Sequence, residues 1–71
     1  MDMNMDVSDD RTRELTARET AVLALILQGS TSREAGSQLG VSPRTVEFHR
    51  ANIMQKFGAR NVADLIRMVL R

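Results

Sequence analysis

Apolar residues fall at helical spacing in four runs along this chain, each bracketed by polar start and stop signals. In Leu15-Thr16-Ala17-Arg18-Glu19, Thr16 reads as a cap and Glu19, three residues on, reaches back to its amide. The run continues through Ala21-Val22-Leu23-Ala24-Leu25-Ile26-Leu27 and stops at Gly29. Its apolar residues go nearly all round, so the pattern predicts a helix covered on more than one side. Thr31-Ser32-Arg33-Glu34 repeats the start signal. It predicts a short helix from Ser32 to Leu39, closed by Gly40, in which only Ala35 and Leu39 are apolar. Gly36 in mid-helix costs about 1 kcal/mol against Ala; close approach of another helix is the expected reason.

The third run organises the rest. Ser42 caps, and Pro43 follows at the first helical position, where a missing N–H costs nothing. Gly58 ends the run, as a glycine just past the last turn does. The 15 residues from Pro43 to Phe57 span about 22 Å. At 100° per residue, Val46, Ile53 and Phe57 share one side, a core stripe. Arg44, Glu47, Phe48, Ala51 and Gln55 cluster on the other, mixing groups that hydrogen-bond, stack or make apolar contact. Helices that enter the DNA major groove present such a mixture. In the fourth run Asn61 opens a helix, with Asp64 three residues on. Val62, Leu65, Ile66, Val69 and Leu70 form its stripe, part expected to pack on the first helix and part to meet a second copy.

The pattern is all-α, and the short second helix, the Gly40-Val41-Ser42 turn and the longer third helix make a helix-turn-helix. At 71 residues the core is small, so a partner subunit would help. With no cysteine there is no disulfide, thiolate metal site or cysteine nucleophile. No apolar run approaches the ~20 residues needed to span a bilayer, so no membrane partner is expected. The net charge of +1 conceals an asymmetry. Residues 1–14 set five acids against two arginines, net −3; residues 15–71 set seven arginines and Lys56 against four acids, net +4. Residues 1–14 show no period and read as a disordered acidic tail or linker, with a helix ordered only on a partner domain as the alternative. Residues 15–71 form the basic domain, a modest electrostatic footprint for nucleic acid.

Leu15-Thr16-x-Arg18-Glu19, Gly29, Glu34 ahead of Leu39-Gly40-Val41-Ser42, Thr45-Val46-x-x-His49, Ile53 and Lys56-Phe57-Gly58 follow one another in order. Together they resemble the DNA-binding domain of LuxR-type transcription regulators, also called the GerE or FixJ type. The likeness covers about residues 15–70, and the run from Ser42 to Asn52 looks most like the FixJ branch of response regulators. The resemblance implies a four-helix bundle whose second and third helices form the helix-turn-helix. It implies a fourth helix that often mediates dimerisation on a pseudo-palindromic site, and a cytoplasmic bacterial regulator. A phospho-receiver or ligand-sensing domain usually precedes such a domain. Fourteen residues do not hold one, so the chain reads as an excised output domain or a stand-alone regulator. Two departures stand out. Position 47, often basic in the family, is Glu47, and Ala35-Gly36 is smaller than the usual Ile-Ala pair.

With that likeness in view, Arg44, Glu47, Phe48 and Ala51 are the expected base contacts. Arg44 suits guanine O6 and N7, and Phe48 and Ala51 thymine methyls; Glu47 either accepts from a cytosine N4 amino group or holds Arg44 or the neighbours of Ala51 in place. Ser42, Thr45, Asn52 and Lys56 flank that face as expected phosphate contacts. Thr31, Ser32 and Arg33 join them at the second helix's N-terminus, where free amides and dipole suit a phosphate oxygen. Plain helix capping explains Thr31 and Ser42 equally well. Val62, Leu65, Ile66 and Val69 are the expected homodimer contacts, with a purely core role for the stripe as the alternative. His49 lacks companions for metal binding or acid–base work and is expected to be packed. Arg50 falls on the buried side and is expected to pair with Glu19 or Glu34.

Sequence-specific binding of double-stranded DNA for transcription control is thus the leading expectation, without cofactor or metal. RNA polymerase and an upstream sensor protein are further candidate partners. The alternative is a helix-turn-helix module that binds a partner regulator without reading DNA. An enzyme is remote, since no acid–base pair, nucleophile or metal cluster is visible.

Overall fold

The computed structural model describes residues 14–70. Apart from Glu14, which is exposed, the expected acidic tail lies outside the described residues, as does Arg71. Among the described residues four helices follow in order: α1 Ala17–Leu27, α2 Ser32–Leu39, α3 Pro43–Phe57 and α4 Val62–Leu70.

Their starts are fixed by side chains that satisfy first-turn amides. Thr16 Oγ1 accepts from the Glu19 N–H at 3.0 Å, and Glu19 Oε1 accepts from the Thr16 N–H at 3.0 Å. Thr31 and Glu34 repeat the exchange at 3.1 and 2.8 Å. Ser42 Oγ accepts from the Thr45 N–H at 3.1 Å, with Pro43 leading α3. In α4, Asn61 Oδ1 accepts from the Asp64 N–H at 2.8 Å, while Asp64 Oδ2 accepts from the Arg60 N–H at 3.0 Å. Each cap of this kind stabilises by about 1 kcal/mol. Gly40 and Gly58 stop α2 and α3 in the left-handed region, at φ 73° and 69°.

α3 is the hub and packs on α2, α1 and α4. Val46, Ile53 and Phe57 on its inner side are at most 1% exposed. They meet Val22, Leu23, Leu25 and Ile26 of α1, Ala35 of α2 and Leu65 of α4 in one core. Two expectations change here. The last helix, α4, packs chiefly on α3 and only slightly on α1. And the close neighbour of Gly36 is the following turn as far as the first residue of α3, not the side of a packed helix. A Cβ at Gly36 would stand 2.6 Å from the Val41 carbonyl oxygen and 3.3 Å from Pro43 N. Val41 N–H donates to Gly36 O at 3.0 Å, so the backbone doubles back over α2. That fold-over sets how α3 leaves α2.

Candidate nucleic-acid interface

The outer side of α3 is open. Arg44, Glu47, Phe48, Ala51 and Gln55 are all exposed, while the same helix buries Val46, Ile53 and Phe57. Phe48 is 64% exposed, one of two large apolar side chains left so open among the described residues. Its ring lies edge-on to the His49 ring, centroids 5.8 Å apart, which restrains where it points. Arg44 and Glu47 hold no ion pair among the described residues. Their charged groups are therefore free for an outside partner.

Polar side chains border this face. Thr45 is half-buried, with its hydroxyl 3.1 Å from Ser42 Oγ, and Asn52, two turns on, is half-buried as well. Thr31 and Arg33 at the start of α2 are exposed and Ser32 is half-buried. The Thr31 and Ser42 hydroxyls already serve as caps, but a hydroxyl that accepts an amide hydrogen still has its own to donate.

Three side chains on the inner flank of α3 depart from expectation or sharpen it. Arg50 pairs with neither Glu19 nor Glu34. Its Nη1 donates to Ser32 Oγ at 3.2 Å, tying α3 to the first residue of α2. Half-buried at the helix edge, the guanidinium keeps enough water not to require a carboxylate. Lys56, expected on a phosphate, turns inward. Its Nζ donates to Glu19 Oε1 at 2.7 Å and to the Glu14 carbonyl oxygen at 3.1 Å. The reason is that Glu19, 4% exposed, is a buried carboxylate that needs a cation. The hydrogen bond from Lys56, then that from the Thr16 amide, hold the Glu19 carboxyl below its ordinary range, against the upward push of burial. The charge of Lys56 acts in the same downward direction. This pair is a structural tie between α3 and α1 that the sequence pattern did not foretell. At 100° per residue Lys56 lies between Ile53 and Phe48, about 60° from the first and about 80° from the second, so its angle alone allowed either direction. His49 is half-buried, with Nδ1 enclosed and unpartnered, in keeping with a packed ring.

On α4, Leu65 is fully buried and cannot face a second copy; burial within the subunit removes it from the expected dimer set. Val62, Ile66 and Val69 are half-buried and Leu70 is 65% exposed, so an apolar strip remains. No helix among the described residues is long and apolar enough to cross a membrane.

Residues 13–69 match the family model described as bacterial regulatory proteins, luxR family. The chain is 48% identical over 50 residues to the C4-dicarboxylate transport transcriptional regulatory protein DctR of Rhodobacter capsulatus, covering 70% of this chain and 25% of that protein. It is 42% identical over 67 residues to the transcriptional regulatory protein FixJ of Rhizobium meliloti, 92% of this chain and 33% of that one. To the transcriptional regulatory protein UhpA of Escherichia coli it is 39% identical over 66 residues, 93% and 34% of the two chains. It thus spans about a quarter to a third of the length of these relatives. No solved structure matches.

Proposed function

The chain belongs to the luxR family of bacterial regulatory proteins, a helix-turn-helix family of DNA-binding transcription regulators, and from that premise we propose how it engages its duplex. Helix α3 lies in the major groove with Arg44, Glu47, Phe48 and Ala51 against base edges. Thr31, Ser32, Arg33, Ser42, Thr45 and Asn52 contact the flanking phosphates. Lys56 leaves that set, because its ammonium is held within the fold. Two copies sit on a pseudo-palindromic site, joined through Val62, Ile66, Val69 and Leu70 of α4. The partners beyond DNA, whether polymerase or a sensor protein, and a cytoplasmic location follow from the same reading.

One observation carries it: a phenylalanine 64% exposed, between a free arginine and a small alanine, on the outer side of a helix whose inner side is sealed. Placing such a ring in water has a cost that contact with a thymine methyl would remove. The test is selection from a random duplex pool, followed by affinity measured across salt. Enrichment of a paired motif, with affinity falling steeply as salt rises, is expected. Indifference to sequence and to salt would overturn the reading.

A further inference from the structure

The groove-facing side of α3 contains a carboxylate with no duty in the fold. Glu47 is exposed, and among the described residues its carboxylate makes no hydrogen bond or ion pair. It lies beyond the first turn of α3, whose residues include no acid, so the helix dipole gives it little. Four residues on stands Ala51, not a base. Arg50, three residues on, is engaged with Ser32. Pressed against a polyanion, a carboxylate in this place loses water and meets repulsion from phosphates. It has no structural benefit to set against that.

The major groove offers two kinds of donor, cytosine N4 and adenine N6; guanine and thymine edges present acceptors or a methyl. Adenine N6 stands beside the N7 lone pair, which repels a carboxylate. Cytosine N4 has a C–H as its neighbour. We propose that Glu47 selects by exclusion: it accepts from one cytosine amino group and penalises every duplex that places another base there. This rests on α3 being the groove-entering helix. Arg44, Phe48 and Ala51 supply attraction in that arrangement, and Glu47 makes the attraction conditional.

The experiment compares the full chain with Glu47→Ala and Glu47→Gln in the same random-duplex selection, then in titrations on one selected and one unrelated duplex at fixed salt. The unaltered chain is expected to enrich cytosine at one position of each half-site. Changing that base is expected to weaken binding by roughly 5- to 100-fold. Glu47→Ala loses the preference there, keeps it elsewhere, and binds the unrelated duplex severalfold more tightly. Glu47→Gln shifts the preference toward adenine, whose N6 and N7 suit an amide. An unchanged base profile in both variants, or an equal loss of affinity on every duplex, would overturn the exclusion role while leaving the groove reading intact. A starting chain that selects no sequence would bring down both.

Discussion

Lys56 Nζ stands 2.7 Å from Glu19 Oε1, so the last turn of α3 is clamped to the first turn of α1. The Glu19 side chain is 5% exposed and that of Lys56 31%. Removing either partner leaves the other poorly satisfied in a covered site. Glu19→Gln and Lys56→Ala should each lower unfolding free energy by about 2 kcal/mol in urea titrations. On DNA, Lys56→Ala should act through the angle of α3. Once the folded fraction is accounted for, the salt dependence of binding should stay unchanged. A slope lower by one counterion would return Lys56 to the phosphate contacts.

The same pair sets an acid limit. The folded-state pKa of Glu19 is depressed, by the Lys56 hydrogen bond first and the Thr16 amide second. A depressed carboxyl contributes stability that is present above its unfolded pKa and lost as pH falls through the folded one. Asp64 is depressed too, through the Arg60 amide and then Arg67, so two groups share the effect. Melting temperature should fall as pH drops through and below the ordinary carboxylate range. Glu19→Gln should flatten that fall in part, with the remainder belonging to Asp64.

Gly36→Ala separates helix propensity from tertiary fit. Propensity alone would make the alanine more stable by about 1 kcal/mol. The new Cβ, however, would sit 2.6 Å from the Val41 carbonyl oxygen, a backbone atom that cannot swing aside. A net loss of roughly 1–3 kcal/mol is expected. A gain would show that the turn is looser than it stands.

Arg50 and Ser32 should be coupled. A double-mutant cycle of Arg50→Ala and Ser32→Ala is expected to give about 0.5–1.5 kcal/mol of interaction energy, from the single 3.2 Å bond between them. The corresponding cycles with Glu19 or Glu34 should give none.

The two sides of α4 should respond differently. Leu65→Ala, in the core, should cost about 2–5 kcal/mol of stability. Leu70→Asp, at a position 65% exposed, should leave the melt unchanged. It should, however, convert two-copy binding on a palindromic duplex to single-copy binding in sedimentation. Two-copy binding by the Leu70→Asp chain would place the contact elsewhere.

The chain's linear order determined all of the local structure. Thr16, Thr31 and Ser42 with their partners three residues on, Gly40, Gly58 and the spacing of Val46, Ile53 and Phe57 fixed where helices begin, end and face. These are interactions within one turn, so they are written in adjacent residues. The ordered motifs also disclosed the family. Tertiary structure alone decided which element meets which over a distance. Periodicity placed Arg50 on the buried side and Lys56 beside the outer face, but could not say that the first reaches Ser32 and the second turns in to Glu19. Nor could it say that Gly36 accommodates the turn's backbone, or that Leu65 is spent inside the subunit. Helical spacing reports an angle about one axis; a partner on another helix depends on where the second axis lies, and that emerges only when the core closes.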